Sequence, residues 1–429
     1  VDIDLPVIGL LDKHVFMATK SKYCKSDIFE SCGPHRCEPA ILDPNDERNV
    51  CGISPLYTAV NKYAETNNFI PKKYLDKIRT ALPILFRREI TQPLKLFTME
   101  ELINGNGEKY IDPINMKSSP GWPYSKSNDG KRHLFDINEH NKYVPRKELQ
   151  DRLEKRRELG IQGVRIESLW TDCLKDETRE LSKIEEVKTR SFCVAPVDFN
   201  IWLRHYTMDF RRRVCENRIY NGIAIGINPY SLEWTMLANH LTEYSDTGYA
   251  GDYSGYDRRL HSELMDICLQ FIFDNLPNQT GEDRIFFRTL VNELKFATCV
   301  AGKYVYQRFR GLPSGADLTA TLNSMVGICY LFFAWLYNAP PKYQNVVAFI
   351  NNVKYQVYGD DNQFFPRDSV KSFYNFNTVQ HALSTIGITY TPETKQDTKI
   401  NNARHIYEMS FLSNGFRPDN GFYKATLKK

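Results

Sequence analysis

Two short runs, Lys354-Tyr355-Gln356-Val357 and Asn362-Gln363-Phe364-Phe365, flank the tetrapeptide Tyr358-Gly359-Asp360-Asp361. Aromatic and β-branched residues around a Gly-Asp step predict a β-hairpin with a tight turn. Such a turn holds two adjacent carboxylates outward on a fixed backbone, as a divalent cation site requires. An Asp-Asp turn is also a common solvated turn, so the tetrapeptide needs its context to be interpreted. Strand signals gather in two further places, 248–253 and 297–309, and helical stretches at 262–276, 317–337 and 370–386 alternate with them. No Gly-rich phosphate loop follows any strand, which disfavours a doubly wound parallel sheet. The pattern predicts an α+β fold, an antiparallel sheet backed by helices, in which strand pairing brings Asp252 beside Asp360.

The 429 residues are 42% hydrophobic and 25% charged, enough for a large core divided among subdomains. The formal charge is only +4. The basic residues cluster, however: Lys155, Arg156 and Arg157, then Lys175, Arg179, Lys183, Lys188 and Arg190, then Arg204, Arg211, Arg212 and Arg213. Clusters of this kind suit a polyanion, although solvated helix faces carry them too. Ten cysteines without a regular framework and the lack of a signal-peptide pattern predict a reducing compartment, and the start at Val1 fits processing from a longer precursor or a trimmed chain. Cys24, Cys32, Cys37 and Cys51, with His14 and His35, lack the paired spacing of a zinc knuckle and read as ordinary thiols. The apolar run 325–337 is too short to span a bilayer and reads as a buried helix. No linker or repeat is visible, so the subdomains should interleave. Helices are expected at 55–63, 72–88, 146–159 and 198–217, and 177–188 continues charged with few strand signals.

Three constellations carry chemistry. Gly251-Asp252-Tyr253-Ser254-Gly255-Tyr256-Asp257 ends a strand, with Asp252 suited to a metal and Asp257 to another polar partner. Asp252 alone could be a turn or capping residue. Paired with Asp360, it supplies the second carboxylate of a two-cation nucleotidyl-transfer site. In Gly311-Leu312-Pro313-Ser314-Gly315-Ala316-Asp317-Leu318-Thr319-Ala320-Thr321-Leu322-Asn323-Ser324 a flexible loop leads into a helix with Thr319 and Asn323 on one face. Asp257, Ser314 and Asn323 offer donors and acceptors for a ribose 2′-hydroxyl, although a serine before a helix is also an ordinary cap.

These stretches resemble, in order, the motifs of the RNA-dependent RNA polymerase of picornavirus-like positive-strand RNA viruses, most like those of insect iflaviruses and dicistroviruses. Ser118-Ser119-Pro120-Gly121-Trp122-Pro123-Tyr124 resembles motif G, and Lys175 through Arg190 resembles motif F. Asp252 to Asp257 resembles motif A, Gly311 to Ser324 motif B, and Tyr358 to Asp361 motif C. Thr391-Pro392-Glu393-Thr394-Lys395 resembles motif D and Phe411-Leu412-Ser413 the start of motif E. Glu38 to Leu42 resembles part of the fingertip region.

The resemblance implies a right-hand polymerase: fingers at 1–196 and 282–310, palm at 197–281 and 311–412, and the start of a truncated thumb at 413–429. The helical thumb of the family would then be missing or strongly reduced. Asp252 and Asp360 would hold Mg²⁺, or Mn²⁺, with Asp361 secondary. Lys175, Arg179, Lys183, Lys188 and Arg190 would meet the triphosphate, while Asp257, Ser314, Gly315, Thr319 and Asn323 would contact the nucleotide. Lys395 would protonate the leaving pyrophosphate or act as a plain electrostatic contact. Ser118, Ser119, Pro120, Gly121, Tyr124, Phe411 and Leu412 would contact template or primer RNA. Implied partners are template and product RNA, ribonucleoside triphosphates, a small protein primer and other replication proteins. Work at membrane-associated replication complexes in the host cytoplasm is implied too, without a transmembrane segment of the chain's own. Motif E lacks the Lys-Arg pair usual after Phe-Leu. A reverse transcriptase and an RNA-binding protein on an inactive polymerase scaffold are the alternatives. Asp257 and Asn323 argue against the first, and retention of all three carboxylates against the second.

Overall fold

The computed structural model describes residues 3–15, 18–65, 67–125, 130–393 and 402–427. The chain forms two units, each discontinuous in sequence. Val1–Glu65, Asn115–Trp202 and Arg288–Asp317 make the first, and Thr66–Ile114, Leu203–Phe287 and Leu318–Lys429 the second.

The first unit is organised by a five-stranded sheet in the order Val7–Leu10, Tyr304–Gln307, Thr298–Ala301, Trp170–Leu174, Ser191–Val194. Only the contact between Trp170–Leu174 and Thr298–Ala301 is parallel. The strand at 170–174 has no clear sequence signal because Asp172 interrupts its apolar pattern, and the strand at 191–194 is only four residues long. Asp172 is 1% exposed and is neutralised by Arg308, itself buried and stacked 3.7 Å from the Tyr63 ring centroid. A second buried ion network joins Arg156 to Asp198 at 2.8 Å and to Glu293 at 2.6 Å. Within the charged stretch 177–188, Thr178–Glu180 is a strand paired with Cys37–Pro39, followed by the short helix Leu181–Glu185. Long-range pairing here overrides local propensity.

The second unit holds an antiparallel sheet in the order Val353–Tyr358, Asp361–Pro366, Thr247–Tyr253, Tyr390–Pro392, with Arg404–His405 also on the Thr247–Tyr253 strand. Helix Thr319–Asn338 packs on this sheet and on helices Ser262–Asp274 and Phe376–Thr385. Every residue from Thr321 to Leu336 is buried, as an all-round apolar helix demands. It outruns its apolar stretch because the buried polar Asn323 and Ser324 find hydrogen-bond partners. By length and composition this helix could cross a membrane, but 89% of its apolar window is buried inside the unit, as in a core helix.

The helix expected at 370–386 begins only at Phe376, where Asn375 and Thr378 form a capping box. Helices Leu232–Leu241 and Gly281–Lys295 carry no prediction in the sequence reading. After Leu412, where a thumb was expected to begin, Asn414–Asp419 and Phe422–Leu427 form a hairpin. Phe416 stacks on Trp234 at 4.6 Å between ring centroids, fixing that hairpin to helix Leu232–Leu241.

Candidate active site

The hairpin predicted around Gly359 is present. Tyr358 and Asp361 are paired, leaving Gly359 and Asp360 as a two-residue loop. Gly359 has φ +61° and Asp360 stays at negative φ, the pattern of a type II′ turn with glycine first. The Gly359 N–H donates to Ser324 Oγ at 2.9 Å, so the buried helix Thr319–Asn338 caps the turn. Asn362 pairs with Gly251 across the sheet. One step further along each strand stand Asp361 and Asp252, so the carboxylates share one end of two adjacent strands.

These carboxylates influence one another. Burial raises the Asp361 carboxyl to about 7, helped by the negative charges of Asp360, Glu393 and Asp252 and opposed by the Leu412 N–H. That N–H donates to Asp361 Oδ2 at 2.6 Å. Glu393 is a member of this group that the sequence reading passed over. Its carboxylate accepts from Arg404 at 3.1 Å and from the Ser410 N–H, tying the strand after Tyr390 to Ser410–Phe411.

Asp257 and Asn323 also meet: Asn323 Nδ2 donates to Asp257 Oδ1 at 2.6 Å. The Tyr256 hydroxyl donates to the Asn323 carbonyl at 2.7 Å, which locks the helix face. Asn323 is 6% exposed, and its Oδ1 has no hydrogen-bond partner among the described residues. Buried acceptors without a partner are uncommon in folded proteins. Thr319 lies one turn earlier on the same helix.

In the first unit the five cations of 175–190 gather on two acids. Glu177 faces Lys175 at 3.1 Å, Arg190 at 2.8 Å and Arg179 at 3.6 Å. Glu186 faces Lys188 and, at 4.0 Å, Lys183. Ser314 belongs to this unit, where its Oγ accepts from the Cys193 N–H at 3.1 Å, while the Gly315 carbonyl accepts from Asn200 at 3.0 Å. A Cβ on Gly315 would collide with the Cys193 carbonyl, which accounts for glycine there. Ser314 is thus engaged differently from the Asp257–Asn323 pair.

Of the residues expected to touch RNA, Ser118 and Ser119 are exposed. Gly121 turns at φ +74° against the Ala195 carbonyl. Tyr124 and Phe411 need correction: at 1% and 0% exposure they are core side chains, so packing explains them. Pro120 is buried as well, and Leu412 contributes its backbone N–H. Lys395 lies outside the described residues.

Cys24, Cys32, Cys37 and Cys51 are exposed free thiols. Among the described residues, Asp172, Cys193 and Cys299 form a group of three whose ligand atoms lie within 4.8 Å of one another, but Asp172 is already neutralised by Arg308. Sequence reasoning also missed Ser324, Asn362 and Tyr390. Their one signal is polarity inside strongly apolar strands and a helix.

The chain is similar to several known proteins. The genome polyprotein of rice tungro spherical virus (strain Vt6) is 30% identical, with 99% of this chain and 13% of that polyprotein covered. The replicase polyprotein of acute bee paralysis virus (strain Rothamsted) is 28% identical, with 96% of this chain and 22% of that polyprotein covered. The chain therefore spans a small part, 13–22%, of the length of these curated relatives. A solved Sicinivirus 3Dpol RNA dependent RNA polymerase shares the fold at a TM-score of 0.83 and 23% identity, covering 99% of this chain and 84% of that one. The family model for viral RNA-dependent RNA polymerase matches residues 26–429, and the chain belongs to that family.

Proposed function

We propose that this chain performs template-directed RNA synthesis during replication of a positive-strand viral genome: a primer 3′-hydroxyl attacks the α-phosphate of a ribonucleoside triphosphate and pyrophosphate leaves. The observation that carries the reading is the pairing of the Asp252 strand with the Gly359 hairpin, which sets Asp252, Asp360 and Asp361 at one sheet end. Aspartate oxygens are the hard donors that Mg²⁺ and Mn²⁺ take. The raised Asp361 carboxyl, buried among Asp360, Glu393 and Asp252, fits a site completed by divalent cations. Asp252 and Asp360 would be the principal ligands. Asp361, with one oxygen occupied by the Leu412 N–H, would support them. Bound there, a pair of such ions supplies activation of the 3′-hydroxyl and charge neutralisation at the phosphates.

The remaining parts are the chain's own. Lys175, Arg179, Lys183, Lys188 and Arg190 exchange Glu177 and Glu186 for triphosphate oxygens. Asn323 Oδ1 accepts the 2′-hydroxyl, with Asp257 orienting the amide, and a deoxynucleotide leaves that oxygen unpaired. Ser314, Gly315 and Thr319 line the approach of the nucleotide, and Ser118, Ser119 and Gly121 that of the template. Lys395 assists departure of pyrophosphate. In this reading 1–196 and 282–310 act as fingers, 197–281 and 311–412 as palm, and 413–429 leads from the palm toward a thumb. A small protein primer, other replication proteins and membrane-associated complexes in the host cytoplasm complete the setting. RNA contacts are mainly to phosphates, so binding weakens with salt.

Primer extension on an RNA template tests the proposal, with ribo- and deoxynucleotides, for wild type and Asp360→Ala. Ribonucleotide extension lost in the variant is expected. A wild type that extends with deoxynucleotides as readily, or whose activity survives Asp360→Ala, refutes it.

A further inference from the structure

Asn362, directly after the two aspartates, is a strand residue with 0% exposure and a polar side chain. Its Nδ2 donates to the Gly251 carbonyl at 3.0 Å and to the Asp360 carbonyl at 3.0 Å. Its Oδ1 accepts from the Tyr390 hydroxyl at 2.6 Å. Asp360 belongs to the two-residue loop, where the sheet ladder provides its carbonyl with no partner, so the amide supplies one. Gly251 immediately precedes Asp252. One side chain therefore grips the backbone on both sides of the gap between the two principal carboxylates.

The environment allows little else. The amide orientation is settled by its partners, since a flipped group would set its oxygen against two carbonyls. Tyr390 is 1% exposed, stacks on Phe376 at 5.3 Å between ring centroids, and stays a hydroxyl donor because burial opposes its ionisation. Its ring lies over Gly251 where any Cβ would overlap it, so only glycine lets the hydroxyl reach Asn362. Among side chains of this size, the carboxamide alone combines two donors with an acceptor. Aspartate keeps the shape but, ionised, faces two carbonyls with an acceptor. Leucine keeps the bulk and loses every bond.

We propose that Asn362 is a positioning residue that, held by Tyr390 and admitted by Gly251, sets the spacing of Asp252 and Asp360 for divalent cations. This rests on the metal-site reading above.

The test compares full-length wild type, Asn362→Leu, Asn362→Asp and Tyr390→Phe, with Asp252→Ala as the reference lacking the site. Mn²⁺ binding is followed by electron paramagnetic resonance, and backbone hydrogen exchange over 249–253 is measured without metal. Both Asn362 variants should raise the half-saturating Mn²⁺ concentration about tenfold, as part of the lost hydrogen-bond energy is passed to the ligand positions, and speed that exchange. Tyr390→Phe should move both readouts the same way by less. Asn362→Leu combined with Tyr390→Phe should be no worse than Asn362→Leu alone, since the two groups serve one network. Folded Asn362 variants with wild-type Mn²⁺ saturation and exchange would overturn the inference, as would a lower melting temperature with both readouts unmoved. Asn362→Asp decides the matter if the leucine variant does not fold. Wild-type Mn²⁺ binding insensitive to Asp252→Ala would instead sink the metal-site reading, and exchange in the metal-free protein would still judge the clamp.

Discussion

Replacing Asn323 with leucine isolates the choice between ribose and deoxyribose. The substitution preserves bulk in a helix position that is 6% exposed, and removes two features: the amide donor to Asp257 at 2.6 Å and the buried Oδ1 that lacks a partner. In the proposed reaction that oxygen takes the 2′-hydroxyl. A deoxynucleotide leaves it unpaired, at a cost of about 1–3 kcal/mol, which corresponds to roughly 5- to 150-fold in kcat/KM. Asn323→Leu removes that difference, because leucine has no acceptor to satisfy or to strand. Single-nucleotide extension with UTP and dUTP, at matched folded concentration, gives the ratio of the two kcat/KM values. The ratio should fall by that factor, mostly through loss for UTP, with dUTP unchanged or improved. If both substrates lose equally and the ratio stays constant, Asn323 serves the helix rather than the sugar and the reasoning fails.

Two further predictions concern stability. Glu89 is 0% exposed, accepts from Asn221 at 2.8 Å, and has its carboxyl raised by burial from 4.5 to about 7. The folded state therefore binds the proton more tightly, so its contribution is complete below about pH 4.5 and is lost as pH rises through 7, about 3 kcal/mol in all. Denaturant melts of Glu89→Gln should lack this decline between pH 5 and 8, and curves running parallel to wild type would refute it. Arg156→Met strands the buried carboxylates of Asp198 and Glu293 and should destabilise the first unit by about 3–5 kcal/mol, read as a lowered midpoint of its unfolding. A midpoint within experimental error of wild type would show that the network is dispensable.

Much of the second unit was legible because its signals are local. The Gly359-Asp360 step demands a tight turn, and the continuous apolar run at 325–337 demands burial. The strands at 170–174 and 191–194 were not, since their stability comes from partners far along the chain, such as Arg308 for Asp172. The same holds within the site. Asp252 and Asp360 were identified by residue type and context, whereas Glu393 joins them only through strand pairing and its bonds to Arg404 and Ser410. Tyr124 shows the converse: it lies in a recognisable stretch, yet burial makes it a packing residue.

By itself, the sequence determined the chemical inventory: the carboxylates, their placement at a strand end and a turn, the clustered cations, and the family to which their order points. Turn geometry and residue chemistry act over a few positions, so they survive in one dimension. Tertiary structure alone decided which groups share an environment. It set Asp252 at the same strand end as Asp361, left one oxygen of Asn323 open while its amide holds Asp257, and closed the Gly251, Asn362 and Tyr390 contact. Strand register and burial are cooperative properties of distant segments, and no local pattern encodes the distance at which two of them meet.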